Sequence, residues 1–531
     1  MTTVTPAFLA AIAAPVRRTA ALLSFDLAAP EAKQLAVVTA PAGNALSKPG
    51  QLTNGIEEPD AALATFEPGL WTLDGRFALP RAAGETDFEA GWIGPQMSDA
   101  NGVLPAGCVL TIDFPVVQKI PCLGLAFDAR TNSALADFVV TFFNASGAAV
   151  YTEEISGNTD MFVMTSGGAE SVRKITVLVT KTAVPFRFPR MAEINFGFRL
   201  RFDGENILET SLMSEADPTG AGLPFPRLRA AVRNDGRFDF LDPSDLSKYL
   251  QTRQSFEYRH GVDTGNGMEY AHCGAYYLEG WHVTDDRIEF EAAGKTAALD
   301  LTPVSFKTYG TATVGALVRQ ICAAAGLDCA VDAVFDQSPL VCTALGDVSA
   351  REALVQLATL ASAWIREDTH NTLCFEDPLA TAEAQAVLDY TQALDVTALK
   401  QSSYFNGVML TEYSVNASGA HVPAESFKAA PWYDATEPMY GFPVNAACLI
   451  SNKNTQHAAL CSWLLARRFA LLKCRLSAET SWRQNPALCV GDSVTVQANR
   501  RGEMVPACVY AQALDFRDRA LSGETKALIV G

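Results

Sequence analysis

The chain reads as a mainly-β, multidomain protein, and three observations predict this. Strand-sized runs of alternating apolar and polar residues recur along the 531 residues, as where Leu228, Ala230 and Val232 alternate with Arg227, Arg229, Ala231 and Arg233. A period of two marks a strand with one buried face and one wet face. Clusters such as Asn234-Asp235-Gly236 and Asp242-Pro243-Ser244 punctuate these runs; they supply local side-chain hydrogen bonds and, at Gly236, a residue able to take positive φ. Length is the third observation, since a chain this long holds three or four cores rather than one.

Composition narrows the function classes. With 49% hydrophobic residues, 19% charged residues, 29 Phe and 13 Tyr, the chain is folded material rather than disordered. The balance of 41 basic against 59 acidic residues gives a formal charge of −18, which argues against a broad grip on phosphates. Twelve cysteines are too sparse for a disulfide scaffold and sit beside apolar residues such as Leu123, Val341 and Leu488. They read as buried free thiols of a protein assembled in a reducing cytosol. The apolar stretch Phe8 to Ala14 precedes Arg17 and Arg18 instead of following a basic region, so it lacks the order of a secretion signal. No apolar run reaches membrane-spanning length.

Taken in order, residues 1–30 end in an extended run, Ala20 to Leu27. A lone apolar strand needs a sheet to bury it, so it is expected to join strands after Ile194. Residues 31–62, rich in Ala, Pro, Gly and polar residues, read as a connecting arm. Over 63–190, runs such as Val109 to Phe114, Cys122 to Phe127, Phe138 to Phe143 and Ile175 to Val179 are separated by turn residues, the spacing of an inserted β-sandwich. Its Trp71 and Trp92 are candidates for sugar contact, with core packing as the competing role.

Residues 191–300 resume the alternation: Phe198, Leu200 and Phe202 share one face, Arg199 and Arg201 the other. Gly274 to Trp281 and Arg287 to Ala292 follow as strands, completing a first barrel with the N-terminal one. Over 301–385 the pattern turns helical. Thr313 is placed to cap a helix with Leu317, Val318 and Ile321 on its apolar face and Gly326 at its end; Ser349 and Glu352 have capping-box spacing ahead of Leu354, Leu357 and Ala361. Trp364 to Phe375 then reads as a hairpin, making this a small α+β module. Residues 386–531 read as a second barrel with a helix near 455–472, whose Leu460, Trp463 and Leu464 share a side and whose Arg467 and Arg468 suit the dipole of its C-terminal half.

Asn234-Asp235-Gly236-Arg237-Phe238-Asp239, the proline-containing turn after it and Lys248-Tyr249-Leu250 resemble the asparagine-rich turn of baseplate hub proteins of phage tails and related prophage elements. Tyr276-Tyr277-Leu278 with Trp281, and Asn485-Pro486 followed by Gly491-Asp492-Ser493-Val494, are similar to hub-barrel segments, and the likeness covers most of the chain. The resemblance implies two β-barrels per subunit in a homotrimeric ring around the tail axis, between the tube or distal tail protein and a spike or central fibre. It further implies a tape-measure partner, passage of DNA without sequence-specific binding, a place in the virion baseplate and assembly in the bacterial cytoplasm. The sandwich resembles the carbohydrate-binding-like insertion of distal tail and hub proteins, which makes a glycan-binding adhesin the alternative. The α+β module resembles the domain that spaces hub barrels.

Chemistry is sparse by comparison. His260, His272, Cys273 and His282 lack the convergent spacing of a zinc site, and Cys322 and Cys329 fit no redox or zinc motif. Asp235 and Asp239 suit turn hydrogen bonding better than an acid-base pair. The sequence contains no metalloprotease helix, nucleotide-binding glycine loop or serine-hydrolase elbow. The reading is therefore of a non-enzyme with no cofactor and no metal. Arg199, Arg201, Arg227, Arg229 and Arg233 are the candidates for a subunit interface, where arginine suits specific paired contacts, with a DNA-facing or solvent-facing surface as the competing role.

Overall fold

The computed structural model describes all residues except 29, 42–44, 47–50, 54–61, 64, 71–76, 79–90, 235–249, 251, 306–310, 340, 343–346, 381–382, 396, 402–406, 416–420, 429–440, 451–454, 475 and 531. The chain is mainly β and multidomain, and it divides into two compact units: Met1–Ser24 with Arg201–Gly531, and Phe25–Leu200.

In the first unit one sheet runs, in order, through Thr19–Ala28, Ser255–Asp263, Met268–Val283, Arg287–Ala293, Arg227–Arg233, Ile207–Glu215, Met504–Arg517, Ala520–Ile529, Leu476–Trp482 and Ala398–Gln401. The expected alternation holds in Arg227–Arg233 for Leu228, Ala230 and Val232, which are buried, and for the three arginines, which are exposed, but Ala231 on the arginine side is buried too. Phe202 and Phe290 pack with ring centroids 6.0 Å apart beneath this face.

The sequence reading gives two β-barrels, and here the structure corrects it. Among the described residues the ladder closes into no barrel, and the strand Ile207–Glu215 pairs with Arg227–Arg233 on one side and Met504–Arg517 on the other. One continuous sheet thus joins the two strand groups. Strand periodicity encodes which face is buried, while the choice of partner depends on residues some 300 positions apart.

The segment ahead of the first strand is pinned to the end of the chain. The Arg17 guanidinium donates to the carbonyls of Ile12, Gln484, Arg483 and Leu521. Burial, and then the nearby charge of Arg483, lowers its pKa to about 10.

The helices Val314–Ala324 and Ala350–Ala361 start where the sequence places caps. Thr313 Oγ1 accepts from Ala316 N–H and Ser349 Oγ from Glu352 N–H. Gly326 turns the chain at φ +66°, and Ser362 does the same after the second helix at +55°. The short sheet of Cys329–Val331, Leu373–Glu376 and Trp364–Glu367 completes this module.

The sequence groups the helix Thr455–Lys473 with the second barrel. Its Leu460, Cys461, Leu464 and Leu472 pack into the module's core, while Leu471 enters the core of the C-terminal strands. Arg467 bonds Asp377 and the Ala361 carbonyl, and Arg468 is buried and donates to the carbonyls of Thr219 and Thr359. Both arginines therefore serve packing between elements rather than only the helix dipole.

In the second unit a five-stranded sheet runs Ala149–Ile155, Leu135–Phe143, Ala169–Thr182, Val103–Ile120, Val37–Thr39. It shares a core with the strands Leu123–Ala126 and Glu193–Phe202, in which Phe114 and Phe196 meet edge to face at 5.3 Å. The residues expected as a connecting arm contribute to this unit: Val37–Thr39 is its edge strand, and Ala32, Val38 and Leu52 enter its core.

On the outer face of that sheet five threonines stand in one cross-strand row. Thr152 is paired with Thr141, Thr141 with Thr176, Thr176 with Thr111, and Thr111 with Thr39. At the usual strand spacing the row spans about 19 Å.

Candidate functional site

The predicted interface arginines fall into several settings. Arg199 lies in the strand Glu193–Phe202, but its side chain is outside the described residues. Arg201 is exposed and lies beside Tyr270. Arg227 lies over the Phe225 ring at 4.8 Å, and Arg351 lies over the same ring at 5.1 Å. Arg233 is exposed and stands opposite Arg287 in register.

Arg229 belongs to an organised surface. Ile207–Glu215, Arg227–Arg233, Arg287–Ala293 and Met504–Arg517 align their wet faces, placing Asp515, Ser211, Arg229 and Glu291 in one row and Arg517, Glu209, Ala231 and Glu289 in the next. Arg229 pairs with Glu291 at 3.2 Å, and Arg287 with Glu209 at 2.5 Å and Glu289 at 2.8 Å. Ser211 Oγ donates to Asp515 at 2.7 Å. A hollow of about 470 Å³ is lined by these residues and Arg517.

Exposed pairs of this kind each contribute about 0–1 kcal/mol to stability, so the array's larger effect is on orientation. It holds long side chains in set directions and offers a partner a fixed charge pattern, which favours register and specificity over raw affinity. Three arginines face four carboxylates around the hollow; that balance suits a protein partner and is a poor match for a phosphate backbone.

Sequence reading found Arg229 but missed Glu209, Arg287, Glu289, Glu291, Asp515 and Arg517. The period-two charges of Arg287, Glu289 and Glu291 within one strand were the available signal. The contribution of Met504–Arg517 had no local sign.

Of the predicted turn, Asn234 is described: its backbone N–H donates to Asp286 O and its side-chain amide to Thr284 O, both at 3.0 Å. It thereby ties the end of Arg227–Arg233 to the Thr284–Arg287 turn. Asp235, Gly236, Arg237, Phe238 and Asp239 lie outside the described residues, as does Trp71. Trp92 is 0% exposed within the second unit's core. Of the two roles the sequence leaves to Trp92 this is core packing, and a buried indole presents no face to a ligand. Among the described residues no group of three or more His, Cys, Asp or Glu is placed to hold a metal ion.

Beneath the charged face lies His260, fully buried, with its ring edge-on to Phe516 at 5.2 Å and near Tyr258 at 6.4 Å. Among the described residues neither ring nitrogen has a partner at good hydrogen-bond geometry. Burial, and then the charge of Arg17, lowers its pKa from the ordinary 6.5 to about 3.

Between those values the unfolded chain binds the proton that the folded chain refuses, so stability falls as pH drops from 6.5 towards 3. Urea unfolding followed from neutral to acid pH is expected to show this slope, with a shallower one in His260→Leu. Equal slopes in the two proteins would contradict it.

No protein-family model and no curated protein sequence matches the chain. In fold it is similar to a 43 kDa tail protein of prophage MuSo2 from Shewanella oneidensis, at 12% identity and TM-score 0.41, over 62% of this chain and 96% of that one. It is also similar to a tail protein from Neisseria meningitidis MC58, at 10% identity and TM-score 0.42, over 62% and 93% of the two chains. A third similarity is to a chain of the phage P2 baseplate in its activated conformation with Ca, at 9% identity and TM-score 0.28, over 67% and 93%.

Proposed function

We propose that the chain is a non-enzymatic structural component of a phage or phage-like tail, acting as the baseplate hub. Copies of it assemble as a homotrimeric ring joining the tail tube or distal ring to a spike or central fibre. Its centre passes DNA and the tape-measure protein without base-specific contacts. The observation that carries this reading is the fused sheet: Ile207–Glu215 and Met504–Arg517 pair over seven positions, joining early and late parts of the chain into one ladder. Such a body resists shear because many backbone hydrogen bonds must break together, which suits a part that transmits force.

The charged face around Arg229 and the Phe225–Arg227 contact supply the specificity that a ring interface needs. Electron microscopy of the purified protein tests the reading directly. A closed threefold ring with a central opening is expected, and dispersed monomers would overturn it. Replacing Arg227 and Arg229 together by Ala is expected to weaken ring assembly by at least about tenfold, with less than about 1 kcal/mol lost from the fold. Rings that form with unchanged concentration dependence would remove these arginines from the interface.

The threonine row favours a second reading, a glycan-binding adhesin acting through the inserted domain, since it offers a wet hydroxyl-lined face of saccharide length. Binding of the full chain to host cell-surface glycan, lost on replacing Thr111, Thr141 and Thr176 by Val, would establish it. Unchanged binding would move the contact elsewhere.

A further inference from the structure

The hairpin turn at 368–372 of the α+β module rests on the strand Met268–Val283, and two histidines meet there. The rings of His272 and His370 are stacked, with centroids 5.5 Å apart and planes 22° from parallel. His272 Nε2 lies 3.0 Å from the Thr369 carbonyl, and the Asn371 amide donates to Ala275 O at 2.8 Å. The turn is otherwise internally braced, with Asp368 accepting from the N–H groups of His370 and Thr372 at 2.9 and 2.8 Å. His370 is exposed, so solvent protons reach the pair.

We propose that the His272–His370 stack is a pH-sensitive latch, closed at neutral pH and opened by acid, that governs whether the 368–372 turn stays docked on the sheet. This goes beyond the assembly role and does not depend on it.

Two neutral imidazoles stack favourably, and His272 as the Nε2–H tautomer donates to Thr369 O. When both rings are protonated, two like charges stand 5.5 Å apart, and part of the cost is relieved by moving the exposed ring away. The other charges facing His272 come from the neighbouring strand Ser255–Asp263: Arg259 adds to the repulsion and Glu257 opposes it, and these two are paired with each other at 2.9 Å. Glu257 is therefore partly neutralised as a counter-ion. Burial is the largest influence on His272 and favours its neutral form, with Arg259 and His370 acting in the same direction. The Asp368 carboxylate is occupied by its own turn.

Hydrogen exchange of the full chain, expressed as protection factors to remove the intrinsic effect of pH, tests the latch. Between about pH 7.5 and about pH 5.0, peptides covering 364–376 are expected to lose at least about tenfold in protection while those of Met504–Arg517 hold theirs. His370→Asn should abolish that loss. His370→Arg, which fixes a cation at the same point, should keep the acid loss, because only His272 then has to take up a proton for two like charges to meet. Constant protection in the wild-type chain, the same acid loss in His370→Asn, or no acid loss in His370→Arg would each overturn the proposal.

Discussion

Replacing Arg190 by alanine is expected to destabilise the unit Phe25–Leu200 by about 4 kcal/mol, among the larger effects a single substitution produces. Arg190 and Glu67 are 3% and 2% exposed and form an ion pair inside the unit. The Glu67 carboxylate also accepts the Phe188 N–H at 2.7 Å and the Thr65 hydroxyl at 2.7 Å. Without the guanidinium, a carboxylate built into this network remains in the core with no cation beside it.

The cost lies in the orphaned charge more than in the lost attraction, so neutralising the partner should recover part of it. Arg190→Leu combined with Glu67→Leu is expected to be more stable than Arg190→Ala alone. In calorimetry the single variant should lower the transition of this unit by roughly 10 °C. A shift smaller than about 3 °C would mean that water reaches the pair and screens it.

Glu367→Ala is expected to cost about 4 kcal/mol in the other unit. The 3₁₀ helix Lys295–Leu301 begins without a side-chain cap of its own. Glu367, 6% exposed, reaches in from the strand Trp364–Glu367 and accepts from Lys295 N–H at 2.7 Å, Thr296 N–H at 2.9 Å and Thr296 Oγ1 at 2.6 Å. Asn371 Nδ2 donates to it as well, at 2.6 Å. An alanine leaves these buried donors without an acceptor, a heavier loss than removing a matched pair.

Gly294→Ala provides an independent check, because a Cβ there would overlap the same carboxylate. Both variants should move one thermal transition, different from the one that Arg190→Ala moves, since the residues belong to different units. If all three variants moved a single shared transition by the same amount, the division into two separately melting units would fail.

Much of the first unit's local structure was legible in the residues. Thr313 and Ser349 cap their helices because a hydroxyl three residues ahead of an unsatisfied N–H is a local arrangement. Leu228, Ala230 and Val232 turn inward because one strand face must be dry. The charged face was only half legible: Arg229 was visible as part of a wet strand face, but its partner Glu291 lies on a strand that the chain reaches only after Ser255–Asp263 and Met268–Val283. Trp92 was left between two roles, since an aromatic residue beside turn residues has no local mark telling a ligand platform from a core side chain, and the finished core buries it.

The sequence by itself determined the mainly-β class, the positions of the capped helices and the buried face of the strand Arg227–Arg233. Each depends on residues only a few positions apart. The tertiary structure alone decided that Ile207–Glu215 joins two expected barrels into one sheet, that the arm supplies an edge strand to the second unit, and that the helix Thr455–Lys473 packs into the α+β module. Those outcomes turn on which exposed edges and apolar faces find one another across hundreds of residues, and every candidate strand offers the same backbone groups, so side-chain fit across the finished core makes the choice.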